Sequence, residues 1–209
     1  MLDLAPSIGN GLHGAEVSLV PLALEHAEQL ALATQESRES YGFSPVPHGL
    51  EQVQQYIASA LKAREQSLRF AFAIKWRERF VGSTSYYDYQ PWAWPAGSPL
   101  QRTDRPDVLE IGYTWLAASA QRTRCNTEAK RLLLEHAFET WQAHRVCLRT
   151  DVRNERSRNA IARLGAQFEG IRRADKPSSD GLVRDSAFFS IVIAEWRAVR
   201  ARLIDQLAR

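Results

Sequence analysis

The chain has 209 residues, 44% hydrophobic and 24% charged, with a formal net charge of +3. That is long enough for one domain with a proper core, and the balance is ordinary for a globular fold rather than a disordered or fibrous one. The two cysteines, Cys125 and Cys147, make neither a disulfide framework nor a metal set, and no apolar run approaches the roughly 20 residues of a membrane helix.

In chain order, residues 1–15 hold three glycines and a proline and are expected to form an irregular arm ahead of a single domain over 16–209. The start lacks the basic and apolar regions of a signal peptide, so a cytoplasmic protein with ordinary thiols is expected. Val17 to Pro21 is a short strand. Leu24 to Glu39 and Leu50 to Gln66 carry apolar residues at helical spacing, separated by a Pro/Gly-rich loop with Tyr41 and Phe43. Arg69–Lys75 and Phe80–Tyr87 predict a β-hairpin turning near Arg77–Glu78. Asp88 to Asp107 is a long connection with four prolines plus Trp92 and Trp94, either a substrate lid or a loop pinned to the surface. Leu109–Leu116 is a strand, Ala117–Cys125 a turn, and a long amphipathic helix follows, with Asn126 or Thr127 as its cap and Glu128 in its first turn. His136 is placed on the polar side of that helix. Arg145–Thr150 is a strand, and Asn154–Leu164 a helix ended by Gly165. Gln167–Ile171 is a strand, Arg173–Gly181 a polar turn, Leu182–Ile193 the last strand, and Glu195–Leu207 a closing helix. The pattern is mixed α/β (α+β) with one interior β-α-β-α-β run.

Charge is unevenly spread. Residues 1–60 hold one arginine against seven acids, whereas residues 121–173 hold twelve lysines or arginines against six acids. The basic part surrounds a turn that presents backbone N–H groups, Arg122 and Arg124 at a helix start, which is the make-up of an anion site. A solvated basic turn is the plainer alternative. Nucleic acid is the less favoured partner, because no nucleic-acid motif accompanies the charge. No membrane association is expected. The five histidines show no metal spacing such as H-E-x-x-H, so no metal is expected.

Five segments in order then carry a resemblance: EIGYTWL, QRTRCNTEAKRLLLEHAFE, TDVRNERSRNAIARLGA, FEGIRR and RDSAFFSIVIAEW. Together they resemble the GNAT N-acetyltransferase superfamily, nearest its ribosomal-protein-type N-terminal acetyltransferases. As an order of elements the resemblance covers residues 16–207, and its motifs lie within 109–196. It implies a GNAT-like fold, with a mostly antiparallel twisted sheet of about seven strands, flanked by helices and splayed at a cofactor cleft. It implies acetyl-CoA as donor and a primary amine as acceptor, either a protein N-terminus or a small amine, with direct attack and no covalent cysteine.

Residue by residue, the resemblance gives Glu110 the place of a general base, acting directly or through water; a strand glutamate facing solvent or paired with arginine is the alternative. Trp115 and Leu116 would pair their backbone with the pantetheine arm. Gln121, Arg122, Thr123, Arg124, Cys125, Asn126 and Thr127 would hold the pyrophosphate. Asn154 would bond the pantetheine arm, a helix cap being compatible with that role. Ser157 or water would protonate the leaving thiolate. Cys125 is read as a packing residue. The family's turn places glycine or another small residue where this chain has Arg124 and Asn126, so Arg124 must adopt a helical or bridge conformation. The alternative function is a non-catalytic module that binds nucleic acid or a protein through the basic half. The acidic N-terminal helices and the Trp92/Trp94 loop are expected to line the acceptor entrance. The last strand and helix leave a homodimer open.

Overall fold

The computed structural model describes residues 8–209. Eight strands form a single sheet in the order β1-β2-β3-β4-β5-β6-β8-β7. They are β1 (Leu12–His13), β2 (Val17–Pro21), β3 (Arg69–Trp76), β4 (Arg79–Gln90), β5 (Val108–Leu116), β6 (Arg145–Asp151), β7 (Gln167–Pro177) and β8 (Val183–Val192). Five helices accompany them: α1 (Ala27–Gln35), α2 (Gly49–Glu65), α3 (Cys125–Glu135), α4 (Glu155–Leu164) and α5 (Trp196–Ala208). Every neighbouring pair is antiparallel except β5 and β6.

Several boundaries differ from the sequence expectation. The arm is not irregular where it is described, since Ile8 is buried and Leu12–His13 adds an eighth strand by pairing with β2; residues 1–7 of that arm lie outside the described residues. The first helix is shorter, with 3₁₀ turns at Leu24–His26 and Glu39–Tyr41, and Leu24 is exposed rather than on the inner face. The expected polar turn 173–181 is mostly strand, because β7 runs to Pro177 before a tight turn in which Ser178 N–H donates to Leu182 O. Two register shifts interrupt β7, and Ala174 has φ 48°, so its charged residues lack the alternation that marks a strand. His136 is buried, not on a polar side, because helical spacing from the buried Leu132 and Leu133 carries it onto the inner face, its N–H still donating to Leu132 O; burial pushes its imidazole down to about 4.

Alternation along β4 sorts the two faces of the sheet. Ser83 contacts Tyr56 of α2, and Ser85 accepts a hydrogen bond from Arg69, whose guanidinium also bonds Tyr56. Tyr86, from the other parity, donates through its hydroxyl to Leu133 O of α3. So α1 and α2 cover one face and α3 and α5 the other, with Leu30, Val53 and Ile57 buried in one layer and Phe72, Leu133, Leu134, Ala137 and Leu203 in the other.

Glu128 joins α3 to the start of the sheet. It is 5% exposed, and its Oε1 accepts the N–H of Ala15 at 2.5 Å and of Glu16 at 3.2 Å. The acid expected to complement the helix dipole therefore also closes the β1–β2 turn. Replacing it with alanine strands two backbone donors, and Glu128→Ala is expected to lose about 2–3 kcal/mol of unfolding free energy by denaturant titration.

Candidate active site

The site is built by a ladder that stops early. β5 and β6 pair in parallel at Val108–Arg145, Leu109–Val146 and Glu110–Cys147, and no further. Beyond Glu110, β5 stays bonded to β4 as far as Leu116, and β6 stays bonded to β8 as far as Asp151. The two strands thus open a wedge. On its β5 side the ladder steps from Ser83–Trp115 to Ser85–Gly112, so β5 carries one extra residue there, with Tyr113 at φ 51°. This is a β-bulge, which bends the strand beside the wedge.

Glu110 lies at the apex, 2% exposed. Its Oε1 accepts the hydroxyl of Tyr87 and pairs with Arg149 Nε at 3.0 Å. Arg149 Nε also donates to Tyr87 Oη at 3.3 Å, and its guanidinium stands 4.0 Å from Asp175. Asp175 in turn takes the Ser186 hydroxyl at 2.8 Å and pairs with Arg172 at 3.3 Å. Glu110 Oε2 has no hydrogen bond among the described residues. Burial raises the pKa of the Glu110 carboxyl above the ordinary value, while the Tyr87 hydroxyl and the charges of Arg149 and Lys176 oppose that rise. Burial and the neighbouring Glu110 together raise the Tyr87 phenol, so it stays protonated as a donor.

Sequence reasoning missed Tyr87, Arg149 and Asp175. The available signal was Arg149, an arginine within the strand RVCLRTD directly after Leu148, which needs an acid partner where it is buried.

At the wedge mouth, a 3₁₀ turn Ala118–Ala120 leads into Gln121–Arg124, and α3 begins at Cys125 rather than at Thr127 or beyond. Neither Asn126 nor Thr127 caps it. Arg124 occupies the cap position, and Thr123 Oγ1 accepts the Cys125 N–H at 3.1 Å and donates to Ala120 O at 2.7 Å. Arg124 is right-handed helical, φ −70°, ψ −14°, as its side chain requires; the left-handed residue is Arg122, φ 59°. Both guanidiniums are free of ion pairs among the described residues. The N–H groups of Asn126 and Thr127 fall in the first turn, where no intrahelical acceptor exists.

Gln121 spends its side chain on the protein. Its Nε2 donates to Ser40 Oγ at 2.7 Å and Leu116 O at 2.8 Å, and its Oε1 accepts from Arg156 at 3.4 Å. Leu116 O also accepts the Tyr41 hydroxyl at 2.8 Å, so that carbonyl is already engaged twice. Trp115 is buried, with its indole Nε1 unpartnered. Across the wedge, Asn154 caps α4 by accepting the Ser157 N–H at 3.0 Å, and its Nδ2 has no partner among the described residues. Cys125 is fully buried, and burial pushes its thiol up to about 12, which suits packing and not nucleophilic chemistry.

The Trp loop is not at the mouth. Trp92 stacks on His144 at 5.2 Å, and Asp107 takes both the Trp92 N–H at 2.7 Å and the Trp94 indole at 3.0 Å. Asp107 and His144 immediately precede β5 and β6, at the closed end. What reaches over the open end is the α1–α2 loop. Arg153 lies 4.9 Å over the Phe43 ring, and Ser179 of the β7–β8 turn donates to Gly42 O at 3.2 Å.

The profile described as "Acetyltransferase (GNAT) domain" matches residues 16–167. The chain belongs to the GNAT acetyltransferase family. Over 87 residues it is 36% identical to the Bacillus subtilis (strain 168) protein described as "Putative ribosomal N-acetyltransferase YdaF", a match spanning 42% of this chain and 46% of that protein. A T. thermophilus structure described as a "putative acetyltransferase" is 32% identical, with TM-score 0.78 over 94% of this chain and 96% of the other. Mycobacterium smegmatis RimJ in complex with CoA-disulfide shares the fold at 22% identity, TM-score 0.72, over 91% and 88% of the two chains. The fold expectation holds, with eight strands in place of about seven. Among the described residues no helix is long and apolar enough to cross a membrane, and no group of three metal-capable side chains occurs.

The GNAT wedge locates a test of the Glu110 pair. Arg149 favours the charged carboxylate, so Arg149→Met is expected to move the Glu110 titration further upward, read from the acid limb of a pH–rate profile or by NMR.

Proposed function

We propose that this GNAT protein is an acetyl-CoA-dependent N-acetyltransferase acting on a primary amine, with a protein N-terminus as its preferred acceptor. The observation that carries this is Glu110, a buried carboxylate with one oxygen anchored and the other unengaged, at the apex of the wedge. The name of the Bacillus subtilis relative supports a ribosomal-protein acceptor, and the RimJ complex supports a CoA ligand. A cytoplasmic location fits such an acceptor.

The residues at the mouth suit acetyl-CoA. Arg122, Arg124 and Arg156 supply positive charge, and the N–H groups of the Gln121–Thr127 segment supply donors for a pyrophosphate. The Asn154 amide is free to donate to a pantetheine carbonyl, while Trp115 and Leu116 form the facing wall. In the reaction the amine nitrogen forms a bond to the thioester carbonyl carbon, and the carbon–sulfur bond breaks. Glu110 takes the amine proton through Oε2, directly or through one water. Tyr87 and Arg149 hold Oε1, which fixes the carboxylate and keeps it ionised. The thiolate leaves with a proton from the Ser157 hydroxyl or from water.

Glu110→Gln tests the role. Its kcat on amine acceptors is expected to fall about 10²–10⁴-fold while the acetyl-CoA dissociation constant stays within about twofold. Unchanged turnover across the pH range would remove Glu110 as base, and no acetyl-CoA binding at millimolar ligand would sink the proposal.

A further inference from the structure

The β7–β8 hairpin brings a group of cations to the face that carries Glu110. Lys176 of β7 and Arg184 of β8 sit directly opposite each other in the ladder. Their Cβ atoms are then about 5 Å apart, and like charges so placed repel. Arg149 adds a third cation, since its charge and that of Arg184 both lower the Lys176 pKa, along with burial. Arg172 is the fourth, stacked 4.4 Å over the Phe188 ring, on whose face Arg149 also lies at 5.6 Å.

The nearby acids are spoken for. Glu110 is held by Tyr87 and Arg149, and Asp175 by Ser186 and Arg172. Asp151 is gripped by Arg153 at 2.8 Å and 3.0 Å. Arg184 has only the Ser186 hydroxyl, at 2.9 Å. Lys176 is half-buried and has no hydrogen bond or ion pair among the described residues. The charges of Glu110 and Asp175 reach Lys176, but both carboxylates are bonded elsewhere and neither pairs with it. An ammonium removed from water without a paired carboxylate is costly, and a facing arginine raises that cost.

We infer that Lys176 and Arg184 form an anion subsite for the acceptor, which takes a carboxylate carried close behind the reacting amine, as on an acidic second or third residue of a protein N-terminus. The inference rests on the proposed function. A phosphate of the cofactor is the other source of such an anion, but the phosphates have their own cations, Arg122, Arg124 and Arg156, at the start of α3. The hairpin cations instead share the face of Tyr87, Arg149 and Glu110, where the amine must arrive.

The test compares peptides beginning Ser-Asp-Asp and Ser-Asn-Asn, titrated calorimetrically against the CoA-bound protein, with acetyl-CoA binding measured in parallel. Wild type is expected to bind the acidic peptide about tenfold tighter. Lys176→Gln is expected to bring the two within twofold without weakening acetyl-CoA, and Lys176→Arg to retain the preference. Relief of repulsion means that Lys176→Gln should melt no lower than wild type. Equal affinities in the wild type, with acetyl-CoA bound normally, would overturn the subsite and leave the proposed function standing. Loss of acetyl-CoA affinity in Lys176→Gln would assign the charge to the cofactor and overturn it too. An acidic preference in a protein that binds no acetyl-CoA would support the subsite and overturn the function instead.

Discussion

Parallel pairing between β5 and β6 ends at Glu110 and Cys147, while each strand remains bonded on its other side. An interior strand edge without a partner exposes N–H and C=O groups that must find water or a ligand. The wedge is therefore a demand for hydrogen bonds built into the sheet, and the bulge at Tyr113 bends β5 beside it. Glu110 stands at the last paired position, where the backbone is still held from both sides. A carboxylate there costs desolvation, and the pair with Arg149 offsets part of that cost. Such a pair is weak evidence for stability, because apolar residues would serve a core as well. Its presence at the apex is better read as maintenance of one ionised, oriented carboxylate.

The opposite face shows how α3 is tied to the same strand. Lys130 of α3 reaches under the sheet, where Nζ donates to Thr114 Oγ1 at 2.6 Å and Thr84 Oγ1 at 3.3 Å. Thr114 lies next to the bulged Tyr113, and the two threonine hydroxyls are themselves 2.8 Å apart. Burial brings the Lys130 ammonium down to about 7, with no carboxylate bonded to it. The link therefore works in either protonation state: a neutral amine still donates to hydroxyl oxygens, which are among its few polar neighbours. Helix, bulge and wedge wall form one connected unit, so the 121–127 turn and Glu110 keep a common frame.

Much of this was legible in the residues, and the parts that were not have physical reasons. Strands β3 and β4 were found because they are short apolar and aromatic runs on either side of a turn, buried on both faces along their middles; the amphipathic helices were found because burial on one face writes a period into the sequence. Glu110, the 121–127 turn and Asn154 were singled out through motif order, and the structure brings them to one wedge, with Asn154 capping α4. Tyr87 and Asp175 were not, because Tyr87 is 23 positions from Glu110 and Asp175 meets Arg149 from another strand, and local pattern cannot report pairing across strands. β7 was cut short for a related reason: a bulged edge strand with polar residues has no periodic signal. The Trp loop was placed at the wrong end because aromatic content says nothing about which end of a strand a loop caps, and here Asp107 decides it.

Arg122 sharpens the departure of the 121–127 turn from glycine. The sequence placed the difficulty at Arg124, yet that residue is comfortably helical, and the left-handed conformation falls two positions earlier. A left-handed residue with a Cβ costs about 1–2 kcal/mol. The cost is tolerated because the neighbours hold the turn: Thr123 is bonded at both ends, and Gln121 is tied to Ser40, Leu116 O and Arg156. In return the turn keeps two guanidiniums in place of small residues, each outside any ion pair of the described structure. Backbone strain of this kind persists where the surroundings over-determine it, and it clusters at ligand clamps. Glycine supplies such a turn with close approach; this chain supplies it with charge, on a backbone that its side chains have already braced.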